Sequence, residues 1–222
     1  MGLQNLLPRS IRMAFLYVKS KKILADAQMS RTQKIAAIRK KEQAWMSNLS
    51  NMLKGINKQD IAVTVGMKDL AKIYTSLESP DDALRFINVL DNHIHQMVEY
   101  KGDNEFVFNT YIYYFYYKGK AYAQKGMIEE CQKQFDILNL KLNESIAKDP
   151  SKSSLQEMYN HLNIQIYNNY IDIAEKFTNI QLSAYKTCLD QFKTFDRRDP
   201  GNEQIQDMIN ELQPWVEHIS KK

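Results

Sequence analysis

Apolar residues recur every three or four positions along most of this 222-residue chain, which is the period of an amphipathic α-helix. Within residues 31–54, one apolar stripe is formed at intervals of three, four and seven by Ile35, Ile38, Trp45, Leu49 and Leu53. Glycine and proline, which interrupt helices, occur only 7 and 5 times. The pattern predicts an all-α protein of about nine helices, with expected limits at residues 10–25, 30–54, 59–77, 79–101, 105–124, 127–147, 155–177, 182–195 and 202–213.

Local start and stop signals support several of these limits. Ser30 precedes Gln33 by three residues, a capping-box arrangement in which each side chain binds the backbone amide of the other residue. The segment Ser79-Pro80-Asp81-Asp82 combines a serine cap, a proline in the first turn and two acids at the positive end of the helix dipole. Pro214 has no backbone donor, so we expect it to end or kink the last helix.

Charge is divided unevenly along the chain. The net charge is +4, but residues 1–60 hold twelve Lys or Arg against three acids and so carry +9, whereas the remainder carries −5. The opening residues contain Arg9, Arg12 and three lysines before the first acid, Asp26. Such a segment fits a targeting or membrane-surface helix or a first packing helix, and we expect the packing helix.

A second group of cations lies in the next predicted helix, at Arg31, Lys34, Arg39, Lys40 and Lys41. A cluster of this kind can contact nucleic acid or anionic lipid, or it can be a solvated helix face. Neither interleaved aromatic residues nor a nucleic-acid motif accompanies it, which favours the solvated face.

Motifs of catalysis and metal binding are not found. His93 and His95 are two positions apart on a predicted helix and point to different faces, and Cys131 and Cys188 lack metal-type spacing. We therefore expect no metal, no cofactor and no enzymatic activity, although helical enzymes can assemble sites from distant residues. No apolar run reaches the roughly 20 residues that span a bilayer, and a cytoplasmic protein is expected.

Two segments share one spacing of small and aromatic residues. They are Ala71-x2-Tyr74-x8-Ala83 and Gly119-x2-Tyr122-x8-Cys131-x3-Phe135. In the same register, Ile87 aligns with Phe135 and Leu90 aligns with Leu138. These five matches predict an internal repeat in which small residues let paired helices approach closely.

This spacing resembles that of the tetratricopeptide repeat, and Cys188, Phe192 and Pro200 provide a weaker third match. The chain departs from the family in having Met67 and Phe115 where a tryptophan is usual, and in a repeat length of 48 residues rather than the 34 of the family. The resemblance implies stacked antiparallel helical hairpins, a divergent α-solenoid, over residues 59–222. Residues 1–58 are then expected to form a basic helical pair that packs on the repeat region.

A dense aromatic run follows residue 105, and its rings surround the predicted helix on every side. They can be buried between neighbouring helices, or some can line a groove. The family geometry places five residues toward such a groove, namely Lys68, Lys72, Tyr113, Tyr116 and Lys120. The family's carboxylate clamp needs asparagines where this chain has Lys72 and Tyr117, so chaperone-tail binding is not expected.

Together these patterns favour a non-enzymatic interaction module, a scaffold or adaptor that binds a protein or peptide partner on its helical surface. The alternative is a sensory or regulatory helical domain whose basic N-terminus contacts nucleic acid. The sequence does not identify the partner or the oligomeric state.

Overall fold

The computed structural model describes residues 8–45, 61–101, 105–149, 181–198 and 200–220, together with seven separate residues between 157 and 168. These residues contain eight α-helices and no β-strand, which confirms the all-α prediction. The helices are α1 (Arg9–Ala25), α2 (Arg31–Trp45), α3 (Ile61–Ser76), α4 (Pro80–Lys101), α5 (Glu105–Gln124), α6 (Ile128–Lys148), α7 (Gln181–Arg198) and α8 (Glu203–Ser220).

Some predicted boundaries lie outside the described residues. These include the end of the second helix near residue 54 and most of the helix expected over 155–177. The seven described residues between 157 and 168 are all helical. A total of nine helices and a solenoid arrangement therefore stay predictions.

The last helix runs through Pro214 to Ser220 and is longer than the sequence indicated. A proline inside a helix leaves the carbonyl four residues earlier without its donor, and here that carbonyl belongs to exposed Asn210. Water can reach it there. Ahead of the proline, Ile205 and Leu212 are buried, so packing on α7 continues close to this point.

Both predicted start signals lie at the beginning of a helix. The Ser30 backbone amide donates to Gln33 Oε1 at 2.8 Å, and the Gln33 amide donates to Ser30 Oγ at 3.3 Å, which completes the capping box before α2. Helix α4 begins at Pro80, directly after Ser79. The Ser79 hydroxyl donates to Asp82 Oδ2 at 2.5 Å, so this serine forms a hydrogen bond with an acidic residue in the first turn of α4.

The turn between α3 and α4 and the turn between α5 and α6 lie 48 residues apart, which is the spacing of the repeat, and they share backbone hydrogen bonds. In the first turn the Ser79 amide donates to the Tyr74 carbonyl at 2.9 Å, and in the second the Met127 amide donates to the Tyr122 carbonyl at 3.0 Å. Three further backbone bonds match in the same register. The residue before each of these donors has positive φ, +48° at Glu78 and +73° at Gly126. Both turns are thus Schellman-type helix ends.

Contacts divide the chain into two compact units, Met1–Ala121 and Tyr122–Lys222. In the first unit α3 packs on α4, and α1 packs on both α2 and α3. The approach of α1 to α3 is close, because a Cβ atom added at Gly66 would lie 2.0 Å from Met13 Cγ. Glycine at this position is therefore required by the neighbouring helix. The core of this unit includes Leu16, Met67, Leu70, Tyr74, Phe86 and Ile87.

In the second unit α7 packs on α8, and one side of α6 is buried at Cys131, Phe135, Leu138 and Leu142.

The four small residues of the repeat pattern, Ala71, Ala83, Gly119 and Cys131, are all buried. The prediction that they lie in the interior is confirmed.

Candidate partner-binding site

Three tyrosines of α5 form a continuous ring cluster in the first unit. The Tyr113 ring is stacked on the Tyr117 ring with centroids 6.0 Å apart, and the Tyr116 ring meets both edge-on, at 6.4 Å from Tyr113 and 5.2 Å from Tyr117. Such stacked and edge-to-face contacts restrict the rings to one arrangement. Tyr116 and Tyr117 are 3% and 7% exposed, whereas Tyr113 is half-buried and borders the solvent.

The Lys68 ammonium of α3 lies over the Tyr113 ring, 5.8 Å from its centroid, and is 2.9 Å from Asp69 Oδ1. A cation at this distance from the face of a tyrosine is attracted by the ring quadrupole. Helix α3 thus supplies a charge to the ring cluster of α5. Lys72, four residues after Lys68 and so on the same side of α3, is exposed.

The structure brings together three of the five residues that sequence analysis placed in a groove, namely Lys68, Tyr113 and Tyr116. Lys120 follows Tyr116 by four positions on α5 and is half-buried. Because Tyr116 is 3% exposed, its contribution is to support the neighbouring rings, and the accessible atoms belong to the other four residues. Whether a partner binds here stays a prediction.

The Tyr117 hydroxyl of this cluster keeps its proton at physiological pH. Burial raises the pKa of Tyr117 well above its ordinary value of 10.0, and the neighbouring hydroxyls of Tyr116 and Tyr113 raise it further. A protonated phenol can donate and accept a hydrogen bond. The surface itself offers the solvent-bordering Tyr113 ring and lysine ammonium groups, a combination suited to a peptide with acidic side chains.

A second feature of the first unit, not predicted from the sequence, is a set of polar contacts between α2 and the α3–α4 hairpin that we call the ionic clasp (Arg39, Glu42, Tyr74, Asp82 and Arg85). Arg39 Nη2 and Nε lie 2.6 and 3.1 Å from the two carboxylate oxygens of Asp82. Arg85 Nη2 donates to Glu42 Oε1 at 2.6 Å, and the Tyr74 hydroxyl donates to Glu42 Oε2.

Both carboxylates of the ionic clasp are buried, with Glu42 5% exposed and Asp82 6% exposed. A buried charge is stable only with a partner, and each of these acids has an arginine and a hydroxyl group. One sequence signal could have indicated that Glu42 forms a specific ion pair, since Glu42 is the only acid between Asp26 and Asp60. A lone carboxylate within a basic helix is a candidate for a specific ion pair.

The ionic clasp and its neighbours account for part of the basic cluster of α2. Arg39 binds Asp82, Arg31 forms an ion pair with Glu78, and Lys34 Nζ donates to the Leu24 carbonyl at 2.8 Å. Lys40 and Lys41 are exposed. Three of the five cations are therefore used in contacts within the chain, which weakens the hypothesis that this cluster binds nucleic acid.

The second unit has an open cleft of about 470 Å³. Its described lining consists of amide, carboxylate and imidazole groups with one apolar side chain, at Glu157, His161, Ile164, Gln165, Asn168, Asn202 and Gln204. His161 Nε2 is 3.1 Å from Gln165 Nε2. These side chains provide hydrogen-bonding groups and, within this described lining, no serine or cysteine nucleophile.

Comparison of the chain with protein-family models, with curated proteins and with solved structures finds no match. Among the helices of the described ranges, none combines the length and the apolar character needed to cross a bilayer. The described side chains also contain no cluster of three potential metal ligands.

Proposed function

We propose that the chain is a non-enzymatic, divergent tetratricopeptide-like protein that binds an acidic peptide segment of a partner protein on the surface formed by α3 and α5. One observation supports this most directly, the contact of the Lys68 ammonium with the Tyr113 ring beside exposed Lys72. Side chains from two helices here present cations and an aromatic ring to the same region of the first unit.

The tyrosine cluster favours recognition because its rings are already ordered. Tyr113 contacts both Lys68 and the stacked ring of Tyr117, so little side-chain entropy remains to be lost when a peptide binds. The solvent-bordering part of the Tyr113 ring suits an apolar or aromatic side chain, and the lysines suit carboxylates. The matching of residues 71–90 to 119–138 supports the repeat part of the proposal.

An array of acidic peptides, with neutral peptides of matched length and apolar content, tests the proposal with the full-length chain as the probe. We expect acidic peptides to be selected, and we expect the Lys72→Glu variant to bind them at least about 10-fold more weakly, because one attraction becomes a repulsion. The dissociation constant of a selected peptide is then measured by fluorescence anisotropy.

Lys133→Glu is the matched control, since Lys133 is an exposed lysine of α6 and the substitution changes net charge by the same amount. The Lys133→Glu variant should bind the peptide with an affinity within about twofold of the wild-type affinity. Thermal melts followed by circular dichroism should coincide for the wild type and both variants. The proposal fails if no acidic peptide is selected, or if Lys72→Glu and Lys133→Glu weaken binding equally.

A further inference from the structure

Helix α1 carries apolar side chains on two opposite faces. Met13 and Leu16 are buried at 1% and 0% exposure, and Met13 faces Gly66 of α3. At 100° per residue, Ile11, Phe15 and Val18 lie on the other side of the helix, where they are 42%, 46% and 49% exposed. They are spaced by four and three residues and so form one stripe. The stripe therefore lies on the side of α1 opposite the one that packs on α3.

Basic side chains continue the exposed stripe at the C-terminal end of α1. Lys19, Lys21 and Lys22 are all exposed, and α1 contains no acidic residue along its 17 positions. Lys21 Nζ lies 5.6 Å from the centroid of the Tyr17 ring. Within the described part of the chain, none of these three lysines forms an ion pair with a carboxylate. The stripe and its borders thus form a positively charged apolar ridge.

We propose that α1 docks the first unit on the surface of an anionic lipid bilayer, a role separate from the proposed peptide binding by α3 and α5. The helix lies in the plane of the interface, with Ile11, Phe15 and Val18 at the boundary of headgroups and acyl chains. Lys19, Lys21 and Lys22 lie at the level of the lipid phosphates and carboxylates. At 1.5 Å per residue, α1 gives a contact line of about 25 Å.

Charge complementarity favours lipid over a second copy of this chain. Two α1 helices that met through their exposed stripes would place two basic helices side by side, with no acid on either helix to compensate. An anionic bilayer supplies negative charge along the whole length of the ridge. The bilayer also deforms around side chains of unequal size, such as the isoleucine, phenylalanine and valine of this stripe.

Cosedimentation of the full-length chain with vesicles tests the proposal. The vesicles contain phosphatidylcholine with about one third phosphatidylserine, or phosphatidylcholine alone, at about 0.15 M salt. We expect binding to the anionic vesicles only. Replacing Ile11, Phe15 and Val18 by serine should lower the partition coefficient at least about 10-fold. Replacing Lys19, Lys21 and Lys22 by glutamine should lower it on the order of 100-fold.

The matched control replaces Ile137 and Leu140 by serine, because these residues of α6 are also exposed, at 37% and 56%. It should bind the vesicles as the wild type does. Circular dichroism melts check that the variants fold alike. The proposal is overturned if the wild type does not bind anionic vesicles, if it binds neutral vesicles equally, or if the control variant loses as much binding. It is also overturned if sedimentation velocity without lipid shows a dimer that the serine variant of α1 abolishes.

Discussion

The turn between α3 and α4 and the turn between α5 and α6 have the same backbone hydrogen bonds, but their side chains stabilise them differently. In the second turn the positive φ of +73° falls on Gly126, which adopts it without steric penalty. In the first turn the equivalent residue is Glu78, for which a left-handed conformation costs roughly 1–2 kcal/mol. A repeated backbone can therefore be kept at positions whose local sequences favour it unequally.

Ion pairs with α2 offset the conformational cost of the left-handed Glu78 in the first turn. Glu78 pairs with Arg31, and four residues later Asp82 binds Arg39. In the second turn, Met127 precedes α6 without a side-chain cap. The first turn thus depends on tertiary ion pairs, whereas the second depends on glycine. Substitutions at the two turns and in the ionic clasp test this difference.

Glu42→Ala should destabilise the protein by about 2–3 kcal/mol, measured by urea unfolding followed by circular dichroism. The substitution leaves the buried Tyr74 hydroxyl without an acceptor and Arg85 without its nearest carboxylate. Glu42→Gln keeps an acceptor for Tyr74 and should cost less than the alanine variant.

Glu144→Ala in α6 is the control for this prediction. Glu144 pairs with Lys141 at 2.9 Å, but both side chains are 40% or more exposed, so its loss should cost less than about 1 kcal/mol. Equal losses for Glu42→Ala and Glu144→Ala would show that the ionic clasp contributes no more than a surface ion pair.

Substitutions at Glu78 and Gly126 should have opposite signs. Gly126→Ala places a Cβ atom at positive φ and should destabilise by about 1 kcal/mol. Glu78→Gly removes a similar penalty but also removes the exposed pair with Arg31, so a net gain of up to about 1 kcal/mol is expected.

Glu78→Ala separates the two effects, since it removes the ion pair and keeps the left-handed conformation. It should be the least stable of the Glu78 variants. If Glu78→Gly proved as destabilising as Gly126→Ala, the ion pair, rather than the backbone, would control the first turn. Thermal or urea unfolding of the three variants gives the comparison.

Local signals predicted the helices well, because the 3.6-residue period and the capping box at Ser30 act over a few neighbouring residues. They could not predict the ionic clasp, whose arginines and carboxylates lie 43 positions apart and meet only after α2 packs. Nor could they rank Tyr113 and Tyr116 by exposure, since a helix with rings on every side shows no contrast of hydropathy. The site residues themselves stay a prediction until a partner is bound.

Tyr74 adds a pH dependence to the first turn. Burial, followed by the charge of Glu42, raises the pKa of Tyr74 well above its ordinary value of 10.0. Because the unfolded chain releases this proton near pH 10 and the folded chain retains it, the stability that Tyr74 contributes is fully present at pH 8, begins to fall as pH approaches 10 and falls more steeply above it. Tyr74→Phe lacks this dependence. The stability gap between wild type and Tyr74→Phe should therefore narrow by roughly half a kcal/mol between pH 8 and pH 10.

The control for this titration is Tyr122→Phe, the same chemical change at the equivalent position of the second turn. Among the described residues the Tyr122 hydroxyl makes no hydrogen bond, so at pH 8 this variant should lie within about 0.5 kcal/mol of the wild type. Tyr74→Phe loses the bond to Glu42 and should lie about 1–2 kcal/mol below it. The difference in unfolding free energy between wild type and Tyr74→Phe, and that between wild type and Tyr122→Phe, could narrow equally up to pH 10. In that case the buried carboxylate beside Tyr74 would not be the cause of the pH dependence. The first turn would then differ from the second in its hydrogen bonds but not in its electrostatics.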